Sequence, residues 1–464
     1  TRAVAFDLRL RPLAESYQPA TVRHPQPGWI EKDATETVAT VERALSQLTQ
    51  EVSGDIAAVG LDNEGETVVA WDAGTLQPLA RAVVWGSRHS QPIVERLAAA
   101  GHGPRIEQLS GLPLDPYFSA TKMRWLVEND PAVSAAADQG SLRMGTLDAY
   151  LCARLGDGAR TEPSTAGRTQ LQALAAPGAW DTELLELHGV QAGWLPPIGA
   201  SAGDLGTLAG LPLRALLVDQ TASLAGHGCL LPGMTKATYG TGIFLLQQAG
   251  AAPPADANGL IPIVAWQLGD APAYALDGGV FSAGTVITWL HEGLDAFADA
   301  AESEALARRV PDTGGVRFLP ALAGMGAPWW RPDARAVIAG ITAATTRAEI
   351  VRAALDALCF RVRDIVDRLP QRPAVLRVDG GLTANGYLLQ RQADVLGIPV
   401  EVAEQQETTA LGVAAVAGIG AGLLTIDDLA ELTAGGRRIQ PADVRSADAD
   451  YRAWLAFAEA ASQM

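Results

Sequence analysis

The chain is poor in the residues from which metal and redox centres are built. Its three cysteines, Cys152, Cys229 and Cys359, are scattered through 464 residues and form no ligand or redox spacing. They read as small buried hydrophobes of a reducing cytoplasm. The six histidines are as dispersed, which argues against a histidine-based metal site. Lysine is nearly missing (Lys32, Lys122 and Lys236) beside abundant arginine, a bias whose plain explanation is genomic base composition. No uninterrupted apolar run is long enough to cross a bilayer, although 48% of the residues are apolar. The opening residues Thr1–Asp7 do not form a signal peptide, and no short-period repeat or low-complexity segment is present.

Positive charge is also short, with 35 Lys and Arg against 52 Asp and Glu and a formal net charge of −17. That balance argues against nucleic acid as a partner. It also repels phosphorylated ligands, which therefore need local relief from Mg²⁺, loop amides or helix ends.

The length allows two or three domains with real cores. Alternation around Asp7-Leu8-Arg9-Leu10 predicts an antiparallel hairpin over residues 1–20, and a helical period runs from Thr35 to Leu48 with Thr35 or Asp33 as cap. Ile56–Leu61, Thr67–Asp72, Ala82–Trp85 and Leu213–Val218 read as strands, the last ending at Asp219. The second half repeats the pattern. Strands at Ala237–Leu246, Leu260–Trp266 and Ala273–Leu276 precede helices at Ala283–His291 and Arg347–Leu369. A strand at 375–378, another at Pro399–Val402 and a small-residue helix at Thr409–Ala421 follow, with residues 426–463 as a helical tail that sets in after about 422. Strands first and helices afterward, twice over, predict an α/β protein of two domains, 1–230 and 231–464, with a cleft between them.

Within this frame the most informative stretch is Val378-Asp379-Gly380-Gly381, where a β-branched run turns into the helical pattern Asn385–Asp394. Two glycines at a strand-to-helix corner let backbone amides approach a ligand, and the helix points its positive end at the same place. Standing alone, such a pair is more often a tight turn. Together with Thr238-Tyr239-Gly240-Thr241-Gly242 it suggests a nucleotide held between two loops of one domain.

The run Tyr117-Phe118-Ser119-Ala120-Thr121-Lys122-Met123-Arg124-Trp125-Leu126-Val127-Glu128-Asn129 looks like the first signature of the FGGY carbohydrate kinases. Ala336–Ile341 through Glu349–Asp356 looks like the second. Pro25–Glu31, the Thr238–Gly242 loop, Leu322–Ala334 and Asp379–Asp394 are similar to patterns of the glycerol kinases within that family, and the likeness runs nearly collinearly over about residues 1–420. The resemblance implies two ribonuclease H-like domains of the actin-like ATPase type, closing on ATP, Mg²⁺ and a small polyol or sugar. It implies transfer of the γ-phosphoryl group to a primary hydroxyl.

By resemblance Asp219 is the catalytic base and a ligand of Mg²⁺, directly or through water; its local alternative is a helix N-cap. Glu66, Trp85, Tyr117, Gln220 and Phe244 match substrate-contacting positions, where strand-end charge and core aromatics are the plain alternatives for Glu66 and Trp85. Gly240, Thr241, Gly284, Gly381 and Asn385 match nucleotide-binding positions. Their ordinary readings are a hairpin turn for Gly240-Thr241-Gly242, a helix-packing glycine for Gly284 and a helix cap for Asn385. A cytoplasmic enzyme is expected, and a homodimer is the default for its kind.

Several positions depart from the family pattern. An arginine of the substrate stretch is Gly65 here, which removes hydroxyl contacts and is expected to open volume for a larger polyol or ketose. A Trp-Gln-Asp becomes Trp85-Gly86-Ser87, and a nucleotide-contacting glutamine becomes Thr288. Gly203–Gly210 lacks the basic residues of a fructose bisphosphate loop, so that regulation is expected to be absent. The family's opening strand and Asp-x-Gly-Thr phosphate loop precede the segment that Thr1–Val4 resembles; either an N-terminal piece carrying them is expected in the natural protein, the alternative favoured by the missing initiator Met, or half the phosphate grip is lost. A ketopentose kinase such as a xylulokinase is the alternative within the family. A catalytically inactive sugar-binding relative is the alternative outside enzymes, and an actin- or chaperone-like ATPase leaves the Tyr117–Asn129 signature unexplained.

Overall fold

The computed structural model describes residues 1–433 and 435–463, so positions 434 and 464 of the expected C-terminal domain lie outside the described residues. The expected hairpin forms between Arg2–Phe6 and Pro12–Tyr17. Asp7 makes its turn, accepting at Oδ1 from the amides of Arg9 and Arg11 at 2.9 and 3.0 Å. Asp33, not Thr35, caps the helix Ala34–Glu51, which buries Val38, Val41, Ala44 and Leu48 at helical spacing. Strand Val59–Asn63 runs parallel to Leu211–Val218 in a register that places Asp62 beside Leu217. That pairing, rather than the apolar run from Ile56, fixes the strand. Five short strands form a separate sheet in the order Val22–Arg23, Glu31–Lys32, Ala82–Val83, Val68–Asp72, Leu142–Thr146.

The second half builds a seven-stranded sheet. Its order is Ile261–Gln267, Pro272–Val280, Ile243–Gly250, Thr235–Tyr239, Leu376–Asp379, Val400–Val402, Arg437–Ile439. An antiparallel meander thus meets two parallel strands beside Thr235–Tyr239, the ribonuclease H-like order. The stretch Ala237–Leu246, expected as one strand, is two strands folded around Gly240-Thr241-Gly242, where the Gly240 amide donates to the Gly242 carbonyl at 2.9 Å. The helix after Ala283 is shorter than expected, running Gly284–Thr288 and then relaxing into a π turn at Trp289–Gly293. A reciprocal cap of Thr346 and Glu349 opens the long helix Arg347–Val366. The expected helical tail consists of helices Ile426–Leu432 and Val444–Ala461 with strand Arg437–Ile439 between them. Three residues are too few to show a period, and the ion pair of Arg438 with Glu401 on the neighbouring strand holds this edge.

The halves are joined where helix Thr408–Gly420 crosses helix Asp219–Gly226 and covers strands Val59–Asn63 and Leu211–Val218. The crossing is close: a Cβ on Gly412 would lie 1.8 Å from the Ala222 carbonyl oxygen, and one on Gly226 would lie 1.9 Å from that of Thr408. An apolar cluster containing Leu217, Leu224, Leu246, Ile263 and Val416 continues this contact into the large sheet.

Candidate active site

Asp219 stands where the two halves meet. Strand Leu211–Val218 is apolar and buried along its C-terminal part, as a strand covered on both faces must be, and Asp219 begins the helix that follows. It is not that helix's cap. Asp33, Asp130, Asp181 and Asp299 each accept from amides two or three residues on in their helices, whereas among the described residues Asp219 accepts only from the amide of Gln220, at 2.6 Å. Its carboxylate is left for another use. Burial, with the negative charges of Glu66 and Asp62, pushes its pKa up to about 7 against the opposing pull of the Gln220 amide and Lys236.

The substrate candidates gather beside it. The rings of Trp85 and Tyr117 meet edge to face with centroids 5.5 Å apart, and Trp85 keeps 40% of its surface exposed. Burial, with Glu66 nearby, pushes the Tyr117 hydroxyl well above its ordinary range, so it remains a donor. Lys122, fully buried and pushed down to about 7 by that burial, donates to the carbonyls of Tyr117 and Phe118 and pins the loop that carries them. Gln220 directs its side-chain oxygen toward Lys236 Nζ at 2.7 Å. Phe244 pairs with Thr238 and Gly279 across the large sheet, two residues along from the row Lys236–Leu246–Asp277, so Phe244, Lys236 and Asp277 share one face.

Arg168 was not legible as part of this group. Its Nε donates to Glu66 Oε1 at 2.5 Å and its Nη1 to Asp277 Oδ2 at 3.1 Å, with the Tyr117 ring 5.5 Å from the guanidinium. It also corrects the expectation of open volume at Gly65. A Cβ there would lie 2.8 Å from Val218 Cγ2 and 3.1 Å from Arg168 Cγ, so the space is already filled. Lys236 and Asp277 were missed as well. Each interrupts a buried strand with a charge, and that is the signal that points to them, because an unpaired charge is too costly to bury.

The nucleotide candidates fall into two neighbouring turns at the ends of parallel strands Thr235–Tyr239 and Leu376–Asp379. Gly284 packs against the first: its amide donates to the Gly240 carbonyl at 3.0 Å, and a Cβ on it would lie 2.7 Å from that oxygen. Thr241 is exposed at the tip. In the second turn Gly380 has φ +91° and sits under the Tyr239 carbonyl, where a Cβ would come within 2.5 Å. Gly381 has no described residue beyond its chain neighbours within 4 Å of its Cβ position and is open to a ligand. Asn385 caps helix Gly386–Leu396 through the Leu388 amide at 2.9 Å and donates to Ser303 Oγ at 3.2 Å, so its ordinary reading is realised. Thus Asp219, Glu66, Tyr117, Trp85 and Gln220 form one group, and Gly240, Thr241, Gly284, Gly381 and Asn385 another, with Lys236 between them.

A hard cation would find oxygen donors at Asp219, and the second carboxylate of Asp62 on the adjoining strand would add to the negative field that favours it. Among the described residues no three histidine, cysteine or carboxylate side chains converge as a ligand set. One carboxylate suits Mg²⁺, which keeps waters and takes phosphate oxygens for the rest of its octahedron.

Comparison with known proteins identifies the family. The model of the N-terminal domain of the FGGY family of carbohydrate kinases matches residues 1–212, and that of its C-terminal domain matches residues 235–421. Glycerol kinase of Alcanivorax borkumensis is 41% identical over 459 residues, covering 95% of this chain and 92% of the relative. Glycerol kinase of Halorhodospira halophila is 40% identical over 471 residues, covering 98% and 92%. Among solved structures, Plasmodium falciparum glycerol kinase with ADP superposes with a TM-score of 0.93 at 28% identity, covering 99% of this chain and 96% of that one. Xylulose kinase from Lactobacillus acidophilus, at 20% identity, shares the fold with a TM-score of 0.90 and coverages of 99% and 94%. The chain belongs to the FGGY family of carbohydrate kinases.

Proposed function

We propose that the protein transfers the γ-phosphoryl group of ATP to a primary hydroxyl of a small polyol, with glycerol as the nearest analogue. The observation that carries this reading is Asp219: a carboxylate free of capping duty, pushed up to about 7, with Glu66 on one side and on the other Lys236, whose strand runs into the Gly240–Gly242 turn. A hydroxyl held by Glu66, Gln220 and the Tyr117 hydroxyl gives its proton to Asp219 as its oxygen attacks the γ-phosphorus and the bond to the departing ADP oxygen breaks. Trp85 and Phe244 cover the carbon side of the polyol. Amides and the hydroxyl of Gly240-Thr241-Gly242 hold the β and γ phosphates, while Gly284, Gly381 and Asn385 shape the adenosine side. Mg²⁺, when bound at Asp219, offsets phosphate charge.

Val218 and the stem of Arg168 crowd the Cβ position of Gly65, which supports the smaller substrate over a ketopentose. A cytoplasmic setting and a homodimer complete the reading, and sedimentation of the purified protein tests the latter. ADP release measured with the full-length protein against a panel of triols, longer polyols and ketopentoses tests the function. Turnover of glycerol above the ketopentoses is expected; a folded protein that binds polyols without releasing ADP is the inactive relative instead.

A further inference from the structure

Arg168 touches both halves of the molecule. It follows the short helix Pro163–Gly167, beside Glu66 of the N-terminal half, yet its second ion pair is with Asp277 on strand Pro272–Val280 of the large sheet. The three side chains are almost wholly enclosed, with Arg168 and Asp277 each 7% exposed and Glu66 4%. Burying three charges is an inefficient way to gain stability, since apolar side chains of similar volume often serve better. What the arrangement does supply is orientation. The guanidinium fork engages Glu66 only at Oε1, and the Glu66 carboxylate accepts there from Arg168 alone among the described residues. Oε2 is therefore left to face a ligand. The Tyr117 and Phe118 rings lie against the same guanidinium, each 5.5 Å away, and fix the plane of the fork.

We propose that Arg168 is a positioning residue of the substrate site, held by Asp277 from the opposite half, so that Glu66 presents its free oxygen to a polyol hydroxyl only when the halves are together. The inference rests on the polyol kinase reading above. It ties capture of the polyol to contact between the two halves, and it assigns Asp277 a part in specificity although no substrate atom needs to touch it. A lysine at 168 keeps the charge but cannot span both carboxylates from one planar group.

The test compares wild type with Asp277→Asn, Arg168→Lys and the double variant, measuring KM for polyol and for ATP separately. Asp277→Asn is expected to raise the polyol KM about tenfold and leave the ATP KM within about twofold, and Arg168→Lys to lower kcat/KM for the polyol about a hundredfold. The double variant should be no worse than Arg168→Lys, because both changes break one path. An unchanged polyol KM in Asp277→Asn, equal rises in both KM values, or additive losses in the double variant overturn the inference. So does an Asp277→Asn protein that fails to fold, since the pair then serves the fold. Wild type that turns over no polyol sinks the kinase reading itself, a separate outcome from wild type active and variants unaffected.

Discussion

Lys236 Nζ reaches the side-chain oxygen of Gln220 at 2.7 Å, from the first strand of the large sheet to the first turn of the helix that begins at Asp219. The same ammonium donates to Thr238 Oγ1 at 3.0 Å. Burial lowers its pKa, and Asp379, Asp219 and Asp277 around it counteract that shift. With its oxygen taken, the Gln220 amide is turned so that its NH₂ group faces away from Lys236, as a donor for a substrate oxygen. Lys236→Met frees the amide to flip, and the polyol KM is expected to rise about tenfold, the loss of one oriented hydrogen bond. An unaltered KM shows that Gln220 is oriented by something else.

Removing the base is a sharper test. Asp219→Asn keeps size and polarity but cannot take a proton, and turnover is expected to fall about 10²–10⁴-fold. Polyol affinity, read by calorimetry, should stay within a few-fold, because the carboxylate acts on the hydroxyl only as the phosphoryl group moves. Equal loss of binding and turnover assigns Asp219 to substrate binding.

The acid limb of the pH profile follows from the charges around Asp219. A general base works deprotonated, so with its pKa pushed up to about 7, kcat/KM should rise as pH increases through about 7 and level off above it. Asp62 raises that pKa and Lys236 lowers it. Asp62→Asn therefore moves the limb to lower pH, and Lys236→Met moves it to higher pH. Two variants shifting the limb in the same direction contradict this electrostatic account.

What the sequence disclosed and what it hid divide along physical lines. Asp219 is legible because an apolar run ends on a charge, and the Gly380-Gly381 corner because a strand cannot continue through it. The close helix Thr408–Gly420 is legible too, since glycine and alanine on one helix leave room for a backbone. Arg168 pairs with Glu66 and Asp277, 102 and 109 residues away, and Lys236 with Gln220, 16 residues away, so local spacing does not announce the partners; only a charge inside a buried strand marks Lys236 and Asp277. Gly65 misleads for the same reason: a missing side chain shows in the sequence, and the neighbour that moves into its place does not. The turn at Gly240–Gly242 and the cap at Asn385 are local features, and their ordinary readings are realised. The long-range partners need the fold to be read.

Gly65→Ala tests that filled space directly. Its Cβ would meet Val218 Cγ2 at 2.8 Å, closer than carbon atoms approach, and Val218 is the residue before Asp219. Relief requires Val218 or Arg168 to move, so a stability loss of about 1–3 kcal/mol is expected, as for overpacking elsewhere. Turnover should fall with it. A fully stable, fully active variant means the pocket wall is softer than its contacts indicate.

The crossing of helices Asp219–Gly226 and Thr408–Gly420 offers the last test, because it links stability to the base. A Cβ at position 412 would lie 1.8 Å from a backbone oxygen, that of Ala222, which unlike a side chain cannot swing aside. Gly412→Ala must therefore push the helices apart, and the helix that moves carries Asp219 at its start. Loss of about 1–3 kcal/mol or more is expected from the strain alone. Gly193→Ala serves as control, since nothing lies within 4 Å of the Cβ position there. If the crossing sets the base, Gly412→Ala lowers kcat even at temperatures where circular dichroism shows it folded, while Gly193→Ala changes neither. A folded Gly412→Ala protein with wild-type kcat shows instead that the base is held from its strand, Leu211–Val218, and that the crossing serves stability alone.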